Sequence, residues 1–476
     1  MHNIILDTDS YKTSHYLQYP PGTTHINSYI EARHTKDPVV FADPVFFGLQ
    51  AYINKYLLRP ITINEVHKAA RLLKAHGLPF NEAGWLYILE KHDGYLPITI
   101  QAVPEGIVTG YQNVQVQVRN NDANVPWLTS YMETAILRAV WYPSTVATLS
   151  RNIKQLINRY AFTSDDLVLD FKLHDFGSRG VSSKESAGLG GLAHLVNFKG
   201  TDTLEAILYA QKYYRADEMP AFSIPASEHS TVICWENETD SYKNMIQQFG
   251  KAGSLFAIVS DSYDLLNVVD NIFGKELKSQ IETSGATLVV RPDSGDPVEI
   301  VEQTLISLAK NFGYTTNKKG YKVLPPCVRV IQGDGVDYYV IQKILNRITS
   351  TPNKFSVDNI TFGMGGALLQ QVNRDSMGYA MKASAITMKN NPSIHDWREI
   401  SKRPKTDSTK TSKGGLLSLY ERDGHYHTIA TKHLYKTGRP DLLVNVFENG
   451  YADNSQTLAD IRKRAEISNV LVHDDF

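Results

Sequence analysis

From Val168 to Phe362 the chain repeats one pattern: a short apolar run, a polar or glycine-rich turn, then a helical stretch. The runs are Val168–His174, Leu195–Phe198, Phe222–Pro225, Leu255–Val259, Thr287–Val290, Val328–Ile331 and Ile360–Phe362. Helical patterns separate most of them, at Ser183–Leu195, Thr203–Tyr214, Asp240–Gly250, Tyr263–Phe273, Pro297–Phe312 and Asp337–Ile348. Strand, loop and helix recurring every roughly 30–40 residues is the signature of βα units and a parallel sheet. Continuous apolar runs are what strands buried on both faces require. About seven such units favour a closed or nearly closed barrel over an open sheet. The expected fold is α/β: a (β/α) barrel-like domain of about seven parallel strands over 166–384, with a second, mixed α+β domain built from 1–165 and 385–476.

The flanking segments have a different rhythm. Asn3–Leu6 reads as a short strand, and Asp7–Lys12 as a polar stretch rich in capping residues. Tyr11, Tyr16 and Tyr19 suit packing at a core edge. Asn27–Arg33 looks extended, Phe46–Leu58 and Asn64–His76 helical, and Pro97–Val118 alternates like half-buried antiparallel strands. Trp127–Trp141 and Ser144–Tyr160 read as two long helices, the second opened by a Ser cap. At 476 residues the chain exceeds the ~250–300 at which one core stops growing, so two domains are expected.

Charge and composition exclude several functions. The net charge of -1, from 49 basic and 50 acidic residues, gives no pull toward nucleic acid or an anionic membrane. No apolar stretch reaches the ~18 residues that cross a bilayer, and Met1–Thr8 holds no signal-peptide core. Cys234 and Cys327 lie far apart and suit a reducing compartment rather than a disulfide framework or a Cys-based zinc site. A cytoplasmic protein is expected.

The chemistry gathers where the runs end. They finish in His174–Gly180, Lys199–Asp202, Glu228–Ser230, Ser260–Ser262, Arg291–Gly295, Gln332–Gly335 and Gly363–Gly366. A lone Gly-Asp pair is usually a turn, and an Arg–Asp pair usually caps a loop. In a (β/α) barrel, however, all these loops share one rim, which predicts an active site there.

Glycines at Gly363, Gly365 and Gly366, ahead of the apolar Ala367–Leu369, let backbone N–H groups approach an anion at a helix start. Arg374 and Lys382 follow and can complete a phosphate pocket, although most surface lysines are merely solvated. Ser401–Lys413, polar and interrupted by Pro404, reads as a mobile loop. Asp261, Asp293 and Asp334 are three carboxylates at strand ends; brought together they need a shared cation, and oxygen ligands suit Mg²⁺ carried in with a phosphorylated substrate. A lone His is more often structural, yet His229, on the rim beside carboxylates, can serve as acid, base or phosphorylation acceptor.

In order, D-T-D-S-Y-K (7–12), H-D-F-G-S-R-G-V-S-S (174–183), N-F-K-G-T-D-T (197–203), S-I-P-A-S-E-H-S-T (223–231), V-S-D-S-Y-D (259–264), V-R-P-D-S-G-D-P (290–297), R-V-I-Q-G-D-G-V-D (329–337) and F-G-M-G-G (362–366) resemble the nicotinamide phosphoribosyltransferase family of type II phosphoribosyltransferases. The resemblance implies transfer of a phosphoribosyl group from phosphoribosyl pyrophosphate to nicotinamide, with Mg²⁺ on the pyrophosphate and ATP as co-substrate. It implies a base stacked between Phe176 and Tyr11 of a second copy, hence a homodimer with sites at the subunit interface. Arg179 and Arg291 would surround base and ribose, and Asp293 and Asp261 the ribose, metal and pyrophosphate. Arg33, Arg329, Gly333, Asp334, Gly365, Gly366, Arg374 and Lys382 would surround the phosphates. His229 would be the histidine phosphorylated by ATP, and Asp202 the residue that selects the amide over the acid. Met364 in the glycine loop and the Ser401–Lys413 segment depart from the family pattern.

Three other readings compete. A sister enzyme acting on nicotinate or quinolinate is separated by comparing bases. A metal-dependent barrel lyase or isomerase would use Lys199 as a Schiff base, which borohydride would trap. A scaffold or signalling role would leave the protein unable to bind phosphoribosyl pyrophosphate.

Overall fold

The computed structural model describes residues 3–389, 397–406, 410–452 and 455–466. Six of the repeated units contribute strands: β1 (Leu173–Asp175), β2 (Gly200–Thr201), β3 (Leu255–Val259), β4 (Thr287–Arg291), β5 (Val328–Gln332) and β6 (Ile360–Met364). They form one parallel sheet in the order β2-β1-β6-β5-β4-β3. The seventh run, Phe222–Pro225, bridges the two edges. Phe222 pairs with Gly200 of β2, and Ala226 with Ala257 of β3. Backbone bonds Phe222 N to Lys199 O (2.8 Å) and Ala257 N to Pro225 O (2.8 Å) close the ring.

The apolar runs are strands because both faces are covered. Phe256, Ile258, Leu288, Val290, Val328, Val330 and Phe362 are fully buried, each contributing ~1.5–3 kcal/mol by leaving water. On the concave side Ala257, Val289 and Ile331 cluster with Phe176 and Ile224. The helices that follow include α1 (Lys184–His194), α2 (His229–Ile233), α3 (Glu238–Phe249), α4 (Pro297–Phe312) and α5 (Tyr338–Thr349). Their starts are locally encoded: Ser183, Asn237, Asp296 and Asp337 cap α1, α3, α4 and α5 with side-chain oxygens.

One expected strand is not one. Leu195–Phe198 is the turn that follows α1, with Leu195 N bonded to Gly191 O and Phe198 N to His194 O. These residues are apolar because that turn is buried; the strand follows it and is only two residues long.

The chain divides into two compact units. One holds residues up to Thr148 with Tyr209–Asp217 and Asn373–Glu466; the other holds Leu149–Leu208 and Glu218–Val372. Both divisions fall before the 165/166 and 384/385 boundaries read from the sequence. Ala380–Met388 pairs antiparallel with Thr23–Glu31 and so joins the first unit. The other division lies inside the helix Glu133–Asn158, which carries no break in composition.

The first unit is built on a seven-stranded antiparallel sheet ordered Arg398–Glu399, Ala380–Met388, Thr23–Glu31, Val114–Asn120, Ile98–Ala102, Val444–Glu448 and Tyr451–Ala452. Asn3–Leu6 yields a 3-10 turn, Ile4–Leu6, because Asn3 caps Ile5 N. The helix expected from Asn64 begins earlier, at Ile63, with Thr62 and Glu65 forming a capping box. Trp141 and Ser144 lie in one continuous helix containing Pro143; Ser144 is no cap, and its hydroxyl bonds Phe47 instead. Among the described residues no helix is long and apolar enough to cross a membrane.

Candidate active site

The carboxyl ends of the parallel strands assemble a polar rim in the second unit. Next to β3 and β4 lie Asp261, Arg291, Asp293 and His229. Asp261 Oδ2 accepts the backbone N–H of Asp293 (3.0 Å) and the hydroxyl of Ser294. Arg291 Nη2 donates to Asp293 Oδ1 at 2.8 Å. His229, the first residue of α2, points Nε2 at Asp293 Oδ2 (3.4 Å) and Asp261 Oδ1 (3.7 Å), and Nδ1 meets Ser262 Oγ at 3.0 Å. The Arg–Asp pair seen in the sequence is real, and it belongs to a four-residue constellation.

Asp261 Oδ1 is buried and has no hydrogen-bond partner. A carboxylate oxygen kept from water and without a hydrogen bond is costly, unless a cation completes it. Among the described residues no three His, Cys, Asp or Glu side chains converge as a full metal cage. Two carboxylates with an orphan oxygen therefore fit a hard cation whose remaining ligands are phosphate oxygens and water. Asp334, the third carboxylate of the sequence reading, is exposed at the end of β5.

On the other side of the rim stand Phe176, Asp202 and His174. The Phe176 ring lies directly on glycine backbone: a Cβ at Gly363 would be 1.9 Å from its Cε2, and one at Gly333 2.9 Å. Gly333 thus makes room for an aromatic face. The Arg291 guanidinium carbon is 5.9 Å from the centre of the same ring, within cation–π range. Asp202 Oδ1 takes two partners, His174 Nε2 at 3.0 Å and the Ser223 hydroxyl. Burial opposes its ionisation, but the bonds from His174 and Ser223 and the charges of His174 and Arg291 prevail, holding the carboxyl below its usual range. Asp202 also walls an open groove of about 570 Å³ with Ser178, Val181, Ser183 and Leu204. Arg179 is exposed on the turn between Phe176 and α1. Gly365 and Gly366 open a short helical turn, and a side chain at 366 would meet open space.

One expected member is elsewhere. Arg329 Nη1 donates to the carbonyls of Leu324, Pro325 and Val328, at the amino end of β5 and away from the rim. Its position at the start of the strand, rather than past its end, dictates this. His174, Ser223 and Ser262 were missed as site residues; they are polar members of the motifs, and only folding reveals what they hold. Gly363, expected to admit an anion, makes room for the Phe176 ring.

Tyr11, Arg33, Arg374 and Lys382 belong to the first unit. Tyr11 is 58% exposed. Lys382 Nζ is pushed below its usual value by burial and by the like charges of Arg33, Lys402 and Arg374, against the pull of Glu133. Arg374 leans on Asp375 (2.9 Å), and Arg33 Nε bonds Gly378 O. These cations form a cluster suited to an anion. The described parts of Ser401–Lys413 are tied down rather than loose: Lys402 and Ser412 bond each other twice, and Lys413 pairs with Glu31. Residues 407–409 of that segment lie outside the described residues.

The nicotinate phosphoribosyltransferase (NAPRTase) family model matches residues 171–451, and a model of the nicotinamide phosphoribosyltransferase N-terminal domain matches residues 3–100. The nicotinamide phosphoribosyltransferase of Xanthomonas campestris pv. campestris (strain 8004) is 47% identical, covering 98% of each chain. That of Acinetobacter baylyi is 32% identical over 96% of this chain and 95% of the relative. Among solved structures, nicotinate-nucleotide pyrophosphorylase from Pyrococcus furiosus aligns with a TM-score of 0.58 at 16% identity, covering 97% of this chain and 95% of that one. Human nicotinic acid phosphoribosyltransferase aligns at 0.54 and 15%, covering 96% and 92%. At such identities these two structures speak to the fold alone.

Proposed function

The chain belongs to the nicotinate phosphoribosyltransferase family, with the N-terminal domain of its nicotinamide-using members, and from that premise we propose how its own residues carry out the reaction. The reaction is transfer of the phosphoribosyl group of phosphoribosyl pyrophosphate to the ring nitrogen of nicotinamide, giving nicotinamide mononucleotide and pyrophosphate, a step of NAD salvage.

The C1–O bond of the sugar breaks, pyrophosphate leaves with the electron pair, and the lone pair of the pyridine nitrogen forms the new C–N bond. Neutral nicotinamide needs no base to attack. Phe176 supplies a flat apolar face for the ring, and Arg291, beside that face, is assigned to the base and ribose. Asp293 and Asp261 are assigned to place negative charge by the electron-poor sugar, and would hold Mg²⁺. When bound, Mg²⁺ neutralises charge developing on the leaving pyrophosphate. The orphan oxygen of Asp261 supports this assignment. Arg179 is assigned with Arg291 to base and ribose, and Gly333, Asp334, Gly365 and Gly366 to the phosphates; the basic cluster of the first unit, Arg33, Arg374 and Lys382, is assigned to phosphate in its own right.

The observation that carries the base assignment is Asp202, held ionised near Phe176 with Oδ1 already occupied. Its free oxygen can accept an amide N–H but repels a carboxylate. At ~4 Å and an effective dielectric near 20 that repulsion is on the order of 4 kcal/mol, roughly a thousandfold. Turnover of wild type and Asp202→Ala on nicotinamide and nicotinate tests it. The wild type should prefer the amide strongly and the variant should lose most of that preference; a wild type indifferent to the two bases overturns the reading.

ATP is assigned as co-substrate: its terminal P–O bond breaks as a nitrogen–phosphorus bond forms on His229, and ADP leaves. The approach of His229 to both carboxylates of the metal site supports this. Labelled ATP followed by peptide mapping should place the phosphate on His229. Tyr11 is assigned to the site of a second copy, in keeping with its exposed ring. Mixing inactive Tyr11→Ala with inactive Phe176→Ala protein should then restore activity, because a hybrid dimer contains one intact site.

A further inference from the structure

His174 and Asp175 end β1 with their side chains pointing opposite ways. His174 reaches Asp202 on the rim. Asp175 is fully buried, and its side chain meets only the bases of two rim loops. Its Oδ1 accepts the backbone N–H of Gly177 at 2.7 Å, and its Oδ2 accepts the hydroxyl of Thr201 at 2.9 Å. Its own carbonyl accepts the N–H of Asp202 at 2.9 Å, and Thr201 Oγ1 accepts the N–H of Thr203 at 3.0 Å. One residue therefore clamps the turn after Phe176 with one oxygen, and the segment bearing Asp202 with the other.

The clamp has no slack. A Cβ at Gly177 would lie 3.0 Å from Asp175 Oδ1, and one at Gly191 in α1 3.0 Å from Oδ2. Burial pushes the carboxyl up, opposed by Gly177, Thr203 and Thr201 and by the charge of His174. As a device for stability alone this is poor chemistry, since buried polar networks can often be replaced by apolar packing at no loss. What an apolar residue cannot supply is a fixed distance between two turns.

We propose that Asp175 is a positioning residue for base recognition, holding the Phe176 ring and the Asp202 carboxylate in one register and so setting selectivity for a carboxamide-bearing pyridine. The inference rests on the assignment of Asp202 to the amide. Asp175 acts through Gly177 and Thr201, and neither of its oxygens meets substrate.

The test uses the full-length protein with Thr201→Val, which removes the hydroxyl at constant shape, Thr201→Ser, which keeps it, and Asp175→Asn. For each, kcat, KM for nicotinamide, KM for phosphoribosyl pyrophosphate and the nicotinamide-to-nicotinate ratio are measured. Thr201→Val and Asp175→Asn should raise KM for nicotinamide and lower the ratio by about tenfold each, the worth of one well-placed hydrogen bond, with KM for phosphoribosyl pyrophosphate unmoved. Thr201→Ser should behave as wild type. Should Asp175→Asn fail to fold, the Thr201 pair decides alone. A fall in kcat with both KM values and the ratio unchanged marks a merely structural role and overturns the proposal. Asp202→Ala run alongside separates the failures. If it loses selectivity while the Thr201→Val protein keeps it, the bracing role falls and the reading of Asp202 stands; if it keeps selectivity too, that reading falls and the proposal with it.

Discussion

Gly363 lies so close under Phe176 that a Cβ there would sit 1.9 Å from ring atom Cε2. The aromatic face exists because the neighbouring strand gives up a side chain. Gly363→Ala must displace the ring or the strand, an overpacking that costs ~1–3 kcal/mol. The expected result is a rise of at least about tenfold in KM for nicotinamide, with KM for phosphoribosyl pyrophosphate little changed. Steady-state kinetics on both substrates check it; equal effects on the two would mean the ring stayed in place.

Asp261 offers a buried oxygen with no hydrogen-bond partner, 3.7 Å from His229 Nε2. Asp261→Asn keeps the shape and halves the local carboxylate charge, so the Mg²⁺ concentration giving half-maximal rate should rise by about tenfold or more. Chelation should abolish wild-type turnover and added Mg²⁺ restore it. An unchanged Mg²⁺ profile in the variant would remove Asp261 from the metal site.

Arg329 spends its guanidinium on three carbonyls before and at the start of β5. Arg329→Gln should therefore leave KM for phosphoribosyl pyrophosphate within about twofold of wild type while lowering stability by about 2 kcal/mol. Paired kinetics and denaturant titration decide. The opposite pattern, a large KM effect in an equally stable protein, would return Arg329 to the phosphates.

Lys172 is buried with Nζ donating to the carbonyls of Val357 (2.8 Å) and Ile360 (3.0 Å). Burial pushes it down from 10.5 to about 8, with Asp358 opposing and Arg329 assisting. The native value lies below the unfolded one, so between them the unfolded chain binds more protons and stability rises with pH. From about pH 8 to 10.5 this residue alone should add ~3 kcal/mol. The neutral amine keeps two N–H groups, one for each carbonyl. Urea unfolding across that window, wild type minus Lys172→Met, measures the term; a flat difference would contradict it.

How much of this was readable from the chain varies with length scale. The βα rhythm gave the strand ends, because an apolar run bounded by polar turns has few other uses, and caps such as Asp296 and Asp337 place helix starts to the residue. Asp202 was read at a strand end, but the strand before it, Gly200–Thr201, was not, since two residues carry no periodicity. Arg329 was misplaced because its motif spans a whole strand, and only three residues separate the two ends of a barrel wall. His174, Ser223 and Asp175 were invisible as roles: what they hold is set by pairings of residues distant in sequence, and nothing local encodes them.

The stretch 222–227 closes the barrel through few ties: Phe222 with Lys199 and Thr201 on one flank, Pro225 and Ser227 with Ala257 on the other. It is the thinnest stave of the cask, and Ser223, which grips Asp202, rides on it. On the proposed role of Asp202, warming or mild denaturant should be felt first as a falling preference for amide over acid. Base selection, as proposed, and closure of the barrel would then depend on the same few backbone ties.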